Sequence, residues 1–187
     1  MGAFADLLAS PGVEELVEVR SRFGFLAFHG GSLEEGTDRV AADAAGRAGA
    51  SLYAVIQPPD LRWHVPSAVV GADASPGLRR FLAHVEVAVA LHGYGRRDLR
   101  ACLLLGGRHR ALAAHLAAHL RAALPAYRVV DDLDAIPAEL RGQHPDNPVN
   151  LAMGGGVQVE LPLRARRGAD ADALAGALAA AARSWAG

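Results

Sequence analysis

Two histidines occupy equivalent places in the sequence, each at the end of a short apolar run and directly before a glycine. His29 follows the run from Phe23 to Phe28, and His92 follows the run from Val85 to Leu91. Continuously apolar runs predict strands buried in a parallel sheet, and ligands bind outside the carboxyl ends of such strands. We therefore expect the two imidazoles to converge, with the glycines letting the backbone turn without a blocking side chain.

A carboxylate close to the first histidine completes a possible metal site. Glu34 lies five residues after His29, in a segment that enters a helix, so it can curl back toward the same point; its neighbour Glu35 is the rival ligand. Two histidines and one carboxylate leave a fourth position for water, which is typical of catalytic zinc, whereas structural sites are closed. We expect one zinc ion per chain, although the same ligands suit other first-row divalent ions.

A second carboxylate stands in an apolar run where burial is costly. Glu160 is the only acidic residue between Val157 and Leu161. A buried carboxylate needs either a function or a charged partner. Glu160 is therefore the candidate general base, and the alternative is a structural acid paired with an arginine.

Strand and helix patterns alternate along the chain. The helical patterns begin at a capping Thr37, at Ser75-Pro76, along a leucine stripe and at Asp170. This alternation predicts a three-layer α/β/α domain with a mainly parallel, mixed sheet. The predicted strands are 23–28, 51–56, 85–91, 101–105, 127–130 and 157–161, and the predicted helices are about 37–47, 76–83, 112–124 and 170–185.

Composition limits the classes of partner. The 187 residues suit one domain, 1–187 with a core from about residue 14, and 19 basic against 20 acidic residues give no electrostatic reason to expect nucleic acid or a membrane. Arginine groups such as Arg164, Arg166 and Arg167 are usually solvated surface, although one could meet an anionic substrate. The N-terminus does not resemble a signal peptide, and no apolar run approaches a membrane span, so the cytoplasm is the default location. The oligomeric state stays open.

Two further histidines have metal-binding spacing. His115 and His119 lie four residues apart on a predicted helix, but no glutamate stands between them as in the metalloprotease motif. Both flank the leucine stripe, and we interpret them as residues at its boundary with solvent.

The chain resembles the poly-γ-glutamate hydrolase family, whose phage and bacterial members have a compact, carboxypeptidase-like fold. The resemblance covers most of the chain, from about Phe23 to Arg164, in the family's order. It rests on the segments 28–37, 61–67, 90–94, 105–108, 147–150 and 156–161.

The resemblance implies zinc-dependent hydrolysis of an amide bond in a small acidic peptide or a poly-γ-glutamate-like substrate. His29, Glu34 and His92 match the family's zinc ligands, and Glu160 matches the general base of similar zinc carboxypeptidases. Possible substrate-binding residues are Arg108 and Asn150 as carboxylate clamps, and His64 and Ser67 as lining residues. The alternatives are an N-acyl amino acid or cell-wall peptide as substrate, or a non-catalytic zinc- or peptide-binding domain.

Overall fold

The computed structural model describes residues 2–186 and contains one seven-stranded sheet in the order β1-β3-β2-β4-β7-β5-β6. The four central strands, β3, β2, β4 and β7, are parallel, whereas β1 and the β5–β6 pair run the other way. The strands are β1 (Glu14–Glu18), β2 (Phe23–Gly31), β3 (Ser51–Gln57), β4 (Val87–Tyr94), β5 (Cys102–Leu105), β6 (Arg128–Val130) and β7 (Gly156–Pro162).

Five helices cover the two faces of the sheet. Alternate strand residues point to opposite faces, so Phe25 and Ala27 of β2 pack into one core cluster while Leu26 and Phe28 pack into the other. Helices α2, α4 and α5 cover the first face, and α1 and α3 cover the second. The helices are α1 (Ala3–Leu8), α2 (Thr37–Ala48), α3 (Pro76–His84), α4 (Arg110–Ala123) and α5 (Gly168–Ser184). The predicted α/β/α layering with a mixed sheet is confirmed.

The helix ends agree with the sequence signals except at one cap. Ser75 accepts a hydrogen bond from the Leu78 amide and starts α3, and Gly49 ends α2 in the left-handed conformation. Thr37, predicted as the cap of α2, is instead its first helical residue. Gly36 holds the cap position with a φ of 91°, which favours glycine because a side chain would be strained there.

Two elements were missed, and the key strands are longer than predicted. Strand β1 is an exposed antiparallel edge with acidic residues, so it lacks the apolar run of a central strand. Helix α1 packs Phe4 and Leu7 into the core, upstream of the expected start near residue 14. Strands β2 and β4 continue to Gly31 and Tyr94. His29 and His92 are therefore each the third residue from the end of a strand, whereas the sequence predicted that they come directly after it.

None of the described helices is both long and apolar enough to cross a membrane.

Candidate metal centre and active site

The two histidines come together because neighbouring strands separate beside them. The ladder between β2 and β4 ends at the pair Leu26 and Ala90, and His29 and His92 lie beyond this pair, toward the carboxyl ends of the two strands. Their ring centroids lie 5.1 Å apart, and their residues are 1% and 4% exposed. The predicted convergence of these side chains is present in the structure.

Glu34 reaches the same point through a tight turn. Its amide donates to the carbonyl of His29 over 2.8 Å, and its own carbonyl accepts from the Thr37 hydroxyl over 2.9 Å. The carboxylate then lies between the histidines: Oε1 is 2.9 Å from His29 Nδ1 and Oε2 is 3.6 Å from His92 Nδ1. The Gly93 amide donates a hydrogen bond to Oε2 over 2.8 Å and helps to hold the carboxylate in place.

The charges of this cluster stabilise one another. Burial by itself raises the pKa of Glu34, but the charges and hydrogen bonds of His92 and His29 outweigh it and hold that pKa well below its usual range. Burial by itself lowers the pKa of His92, but the negative charge of Glu34 and its hydrogen bond raise it. The site therefore concentrates one negative charge between two nitrogen donors, which is the electrostatic environment that a divalent cation needs.

The donor set fits a tetrahedral divalent ion. Ligand atoms roughly 2.1 Å from such an ion lie roughly 3.4 Å from one another. The distances of 2.9 Å from His29 Nδ1 to Glu34 Oε1 and of 3.6 Å from His92 Nδ1 to Glu34 Oε2 are of that size, each to a different oxygen of the carboxylate. His29 also donates from Nε2 to the Val65 carbonyl over 2.8 Å, which fixes Nδ1 toward the cluster in the manner of a metal-binding histidine. His92 Nε2 is buried without a hydrogen-bond partner in the described chain, and the ring lies beside that of Phe28, with centroids 6.3 Å apart.

A third imidazole lies close enough to compete for the same ion. One donor atom each of His29, Glu34 and His64 lie within 4.8 Å of one another. This group shares two members with the predicted one and replaces His92 by His64. His64 is exposed on a loop, and partial burial and the nearby histidines lower its pKa. His64 therefore occupies the open side of the centre, whereas His92 forms its wall.

The proposed base belongs to a chain of buried side chains. Glu160 lies beside His92 in the β4–β7 register and is 4% exposed. Gln158 donates from Nε2 to Glu160 Oε1 over 2.8 Å, and Asn147 donates to Gln158 Oε1 over 2.8 Å. Burial, the dominant effect, raises the pKa of Glu160 although His92 opposes the shift. A carboxyl group with a raised pKa suits proton transfer near neutral pH.

All of these groups face one cleft of about 380 Å³. Beyond the metal cluster and Glu160, its lining includes the predicted residues His64 and Ser67 and a loop from Ala138 to Asn147. No arginine is among the described residues that line the cleft. The cleft is thus rich in carboxylate, imidazole and amide groups, with the carboxylates supplied by Glu34, Glu139 and Glu160.

The two predicted clamps lie elsewhere. Asn150 accepts from the Arg108 amide over 3.1 Å and donates to the carbonyls of Gly142 and His144. These bonds tie the turn before α4 to the loop above the cleft. Neither Arg108 nor Asn150 lines the cleft, and their role as clamps stays a prediction. Glu35, the rival ligand, points away to Arg167 at 2.7 Å.

Two residues near the centre were missed from the sequence. Gln158 carried a readable signal, because it is polar, lies two residues before Glu160 and must share its face of β7. Arg166 carried none, since its group of arginines suggests surface. Its residue is only 6% exposed, and its guanidinium lies flat against Gly93, where an added Cβ would be 2.6 Å from Cζ. The glycine after His92 therefore makes room for a buried cation.

Comparisons with known proteins identify the family and the fold. The profile of a family described as poly-gamma-glutamate hydrolase matches residues 7–171. A bacteriophage poly-gamma-glutamate hydrolase superposes with a TM-score of 0.78 at 22% identity, covering 94% of this chain and 91% of that one. The zinc-free apo form of YNDL gives 0.76 at 21% identity, covering 92% and 90%.

A more distant likeness is to a metallo-carboxypeptidase from Burkholderia cenocepacia, with a TM-score of 0.51 at 10% identity, covering 96% of this chain and 66% of that one. No curated protein sequence matches the chain. At these identities the solved structures establish the shared fold.

Proposed function

The chain belongs to the poly-γ-glutamate hydrolase family, and on that premise we propose that it cleaves γ-glutamyl amide bonds with one zinc ion held by His29, Glu34 and His92. The observation that carries this proposal is the meeting of these three side chains with buried Glu160 in one cleft. A divalent ion bound there supplies Lewis acidity toward the scissile carbonyl and toward water.

The chain's own residues supply the proton transfers. Glu160 takes the proton of the attacking water and returns it to the leaving amine. Gln158 holds Oε1 of this carboxylate, so we assign the proton transfer to Oε2. The raised pKa of Glu160, caused mainly by burial, makes it a stronger base than an exposed carboxylate.

The position of Glu160 also favours an enzyme over a domain that only binds zinc or peptide. A binding domain needs the ligands but has no use for a buried carboxylate beside them, which is costly to keep. Glu160 lines the same cleft as the three ligands, and its partner is an amide donor and not an arginine. Glu160 is therefore placed as a general base is, and is not paired with an arginine as a structural carboxylate would be.

We infer the substrate from the family and from the residues that line the cleft. Donors that can bind the carboxylates of a γ-glutamyl chain are the imidazoles of His64 and His144 and the amide of Gln143, all of which line the cleft. These groups carry less fixed positive charge than arginines, so we expect weak binding per residue of the substrate, with a KM that changes little with salt concentration.

The test compares the wild type with His29→Ala and Glu160→Gln variants, with Glu86→Gln as an exposed carboxylate control outside the cleft. We expect the two Gln variants to hold as much zinc per chain as the wild type, and His29→Ala to hold one zinc ion fewer. Hydrolysis of poly-γ-glutamate should fall about 100-fold or more in Glu160→Gln and stay near wild type in Glu86→Gln.

Parallel assays with a short N-acyl amino acid and a cell-wall peptide separate the substrates. Cleavage of only these small amides would keep the proposed chemistry and refute the polymer as substrate. A wild type that holds zinc and cleaves none of the three would refute the enzymatic proposal.

A further inference from the structure

A second cluster of imidazoles lies on the helical layer, outside the cleft. His115 and His119 project from the same face of α4, with ring centroids 4.9 Å apart. The last residue of α5, Ser184, meets them both: its Oγ lies 3.2 Å from His115 Nε2 and 3.2 Å from His119 Nε2. Two nitrogens and one oxygen from two helices thus surround one position.

The spacing of these atoms suits a bound ion as well as hydrogen bonds. Ligands of a tetrahedral ion are roughly 3.4 Å apart when each is roughly 2.1 Å from it, close to the two distances of 3.2 Å. Histidines four residues apart on a helix lie on one face and can share one metal. An ion here would gain two imidazoles and the hydroxyl of Ser184, with water completing its coordination.

The orientation of the hydroxyl leaves its lone pairs available. Ser184 Oγ donates to the Ala180 carbonyl over 2.9 Å, so its oxygen presents lone pairs toward the histidines. His115 Nε2 lies 3.0 Å from the Ala181 carbonyl, a contact that metal binding would replace.

We propose that His115, His119 and Ser184 form a second divalent-metal site, which takes a first-row ion such as Zn²⁺, Ni²⁺ or Cu²⁺ and fastens the end of α5 to α4. Its three ligands are neutral, whereas the cleft centre includes Glu34, so the second site binds more weakly and serves structure. The inference is independent of the proposed catalytic function because no residue of this cluster lines the cleft.

The C-terminal tryptophan supplies a local signal. Trp185 packs its ring against His115, with centroids 5.3 Å apart, while the other tryptophan of the chain, Trp63, lies in the loop beside His64. Copper at the proposed site should therefore quench Trp185. A Trp63→Phe background leaves Trp185 as the fluorophore that reports the site.

The experiment measures zinc per chain by equilibrium dialysis and elemental analysis, on protein purified without a histidine tag. The four proteins are the wild type, His29→Ala, His119→Ala and His84→Ala. His84 is a helical histidine bonded to the Arg20 carbonyl on another part of the surface, so it is the matched control. Circular dichroism verifies that each variant is folded.

We expect about two zinc ions in the wild type and in His84→Ala, and about one in His119→Ala. Zinc at saturation should raise the Tm of His29→Ala, which retains only the second site, and this rise should vanish in His29→Ala/His119→Ala. Copper quenching of Trp185 should weaken at least about tenfold in apparent affinity in His119→Ala.

Equal zinc content in folded wild type and His119→Ala would overturn the proposal. So would copper quenching of Trp185 that is the same in His119→Ala and His84→Ala. Neither result bears on the cleft: loss of the cleft ion is read from His29→Ala, so failure of one site is distinguishable from failure of the other.

Discussion

Replacing Gln158 by Met removes the hydrogen-bonded link between Asn147, in the loop that lines the cleft, and the proposed base, while keeping the volume of the side chain. Gln158 gives Glu160 a hydrogen bond of 2.8 Å, and a bond of this kind to a charged group contributes about 1.5–3 kcal/mol. If that contribution is needed to orient Glu160 during proton transfer, its loss corresponds to about a 10- to 160-fold fall in kcat. KM should change much less, because the substrate contacts lie at the cleft opening.

The same substitution also has a structural cost that must be separated from the catalytic one. Asn147 loses the acceptor of its amide, and a buried unpaired donor costs about 1–3 kcal/mol of unfolding free energy. Gln57→Met is the matched control. Gln57 is also buried and makes two bonds, to the amide and the carbonyl of Trp63, but it does not contact Glu160.

The assay combines steady-state kinetics on poly-γ-glutamate with urea denaturation and zinc content for both variants. We expect similar losses of stability and a loss of kcat confined to Gln158→Met. The reasoning is refuted if folded, zinc-loaded Gln158→Met keeps a kcat within about twofold of that of Gln57→Met.

Three further predictions follow from the site and its supports. Because burial raises the pKa of Glu160 and the carboxylate is the active form, kcat/KM should fall as pH drops through a value above the ordinary carboxyl pKa of about 4.3; a pH–rate profile flat down to that value would contradict this. Gly93→Ala places a Cβ 2.6 Å from Arg166 Cζ and should cost about 1–3 kcal/mol by overpacking, measured by urea denaturation; an unchanged midpoint would show that the guanidinium moves freely. Ser75→Ala removes the bond to the Leu78 amide and should cost about 1 kcal/mol in the same assay, and a cost near zero would mean that water replaces the cap.

The central strands and the histidines could be predicted from the sequence because a strand buried on both faces is a continuous run of apolar residues. His29 and His92 stand at the ends of apolar runs, and Glu160 interrupts another, so each is conspicuous. Strand β1 has no such apolar run, since an exposed edge strand can be polar at nearly every position. Its place in the sheet depends on pairing with β3, which is information from a distant part of the chain.

The supporting residues of the site were harder to infer for the same reason. Arg166 is buried only because the residue after His92 is a glycine and α2 begins nearby, and its neighbours Arg164 and Arg167 are exposed. The choice between His92 and His64 as the third histidine likewise depends on where a loop folds back. Local patterns identify which side chains carry chemistry, but not which of them the chain finally brings together.

The hydrogen bonds from Asn147 through Gln158 to Glu160 have a consequence for how this protein can evolve. The loop that carries Asn147 also forms the mouth of the cleft, so mutations that adapt the protein to a new substrate fall on the segment that steadies its base. Such mutations should show epistasis: a substitution in the loop that is neutral beside Gln158 should become harmful once that residue changes. Substitutions in this loop that change substrate recognition are therefore expected to change turnover as well.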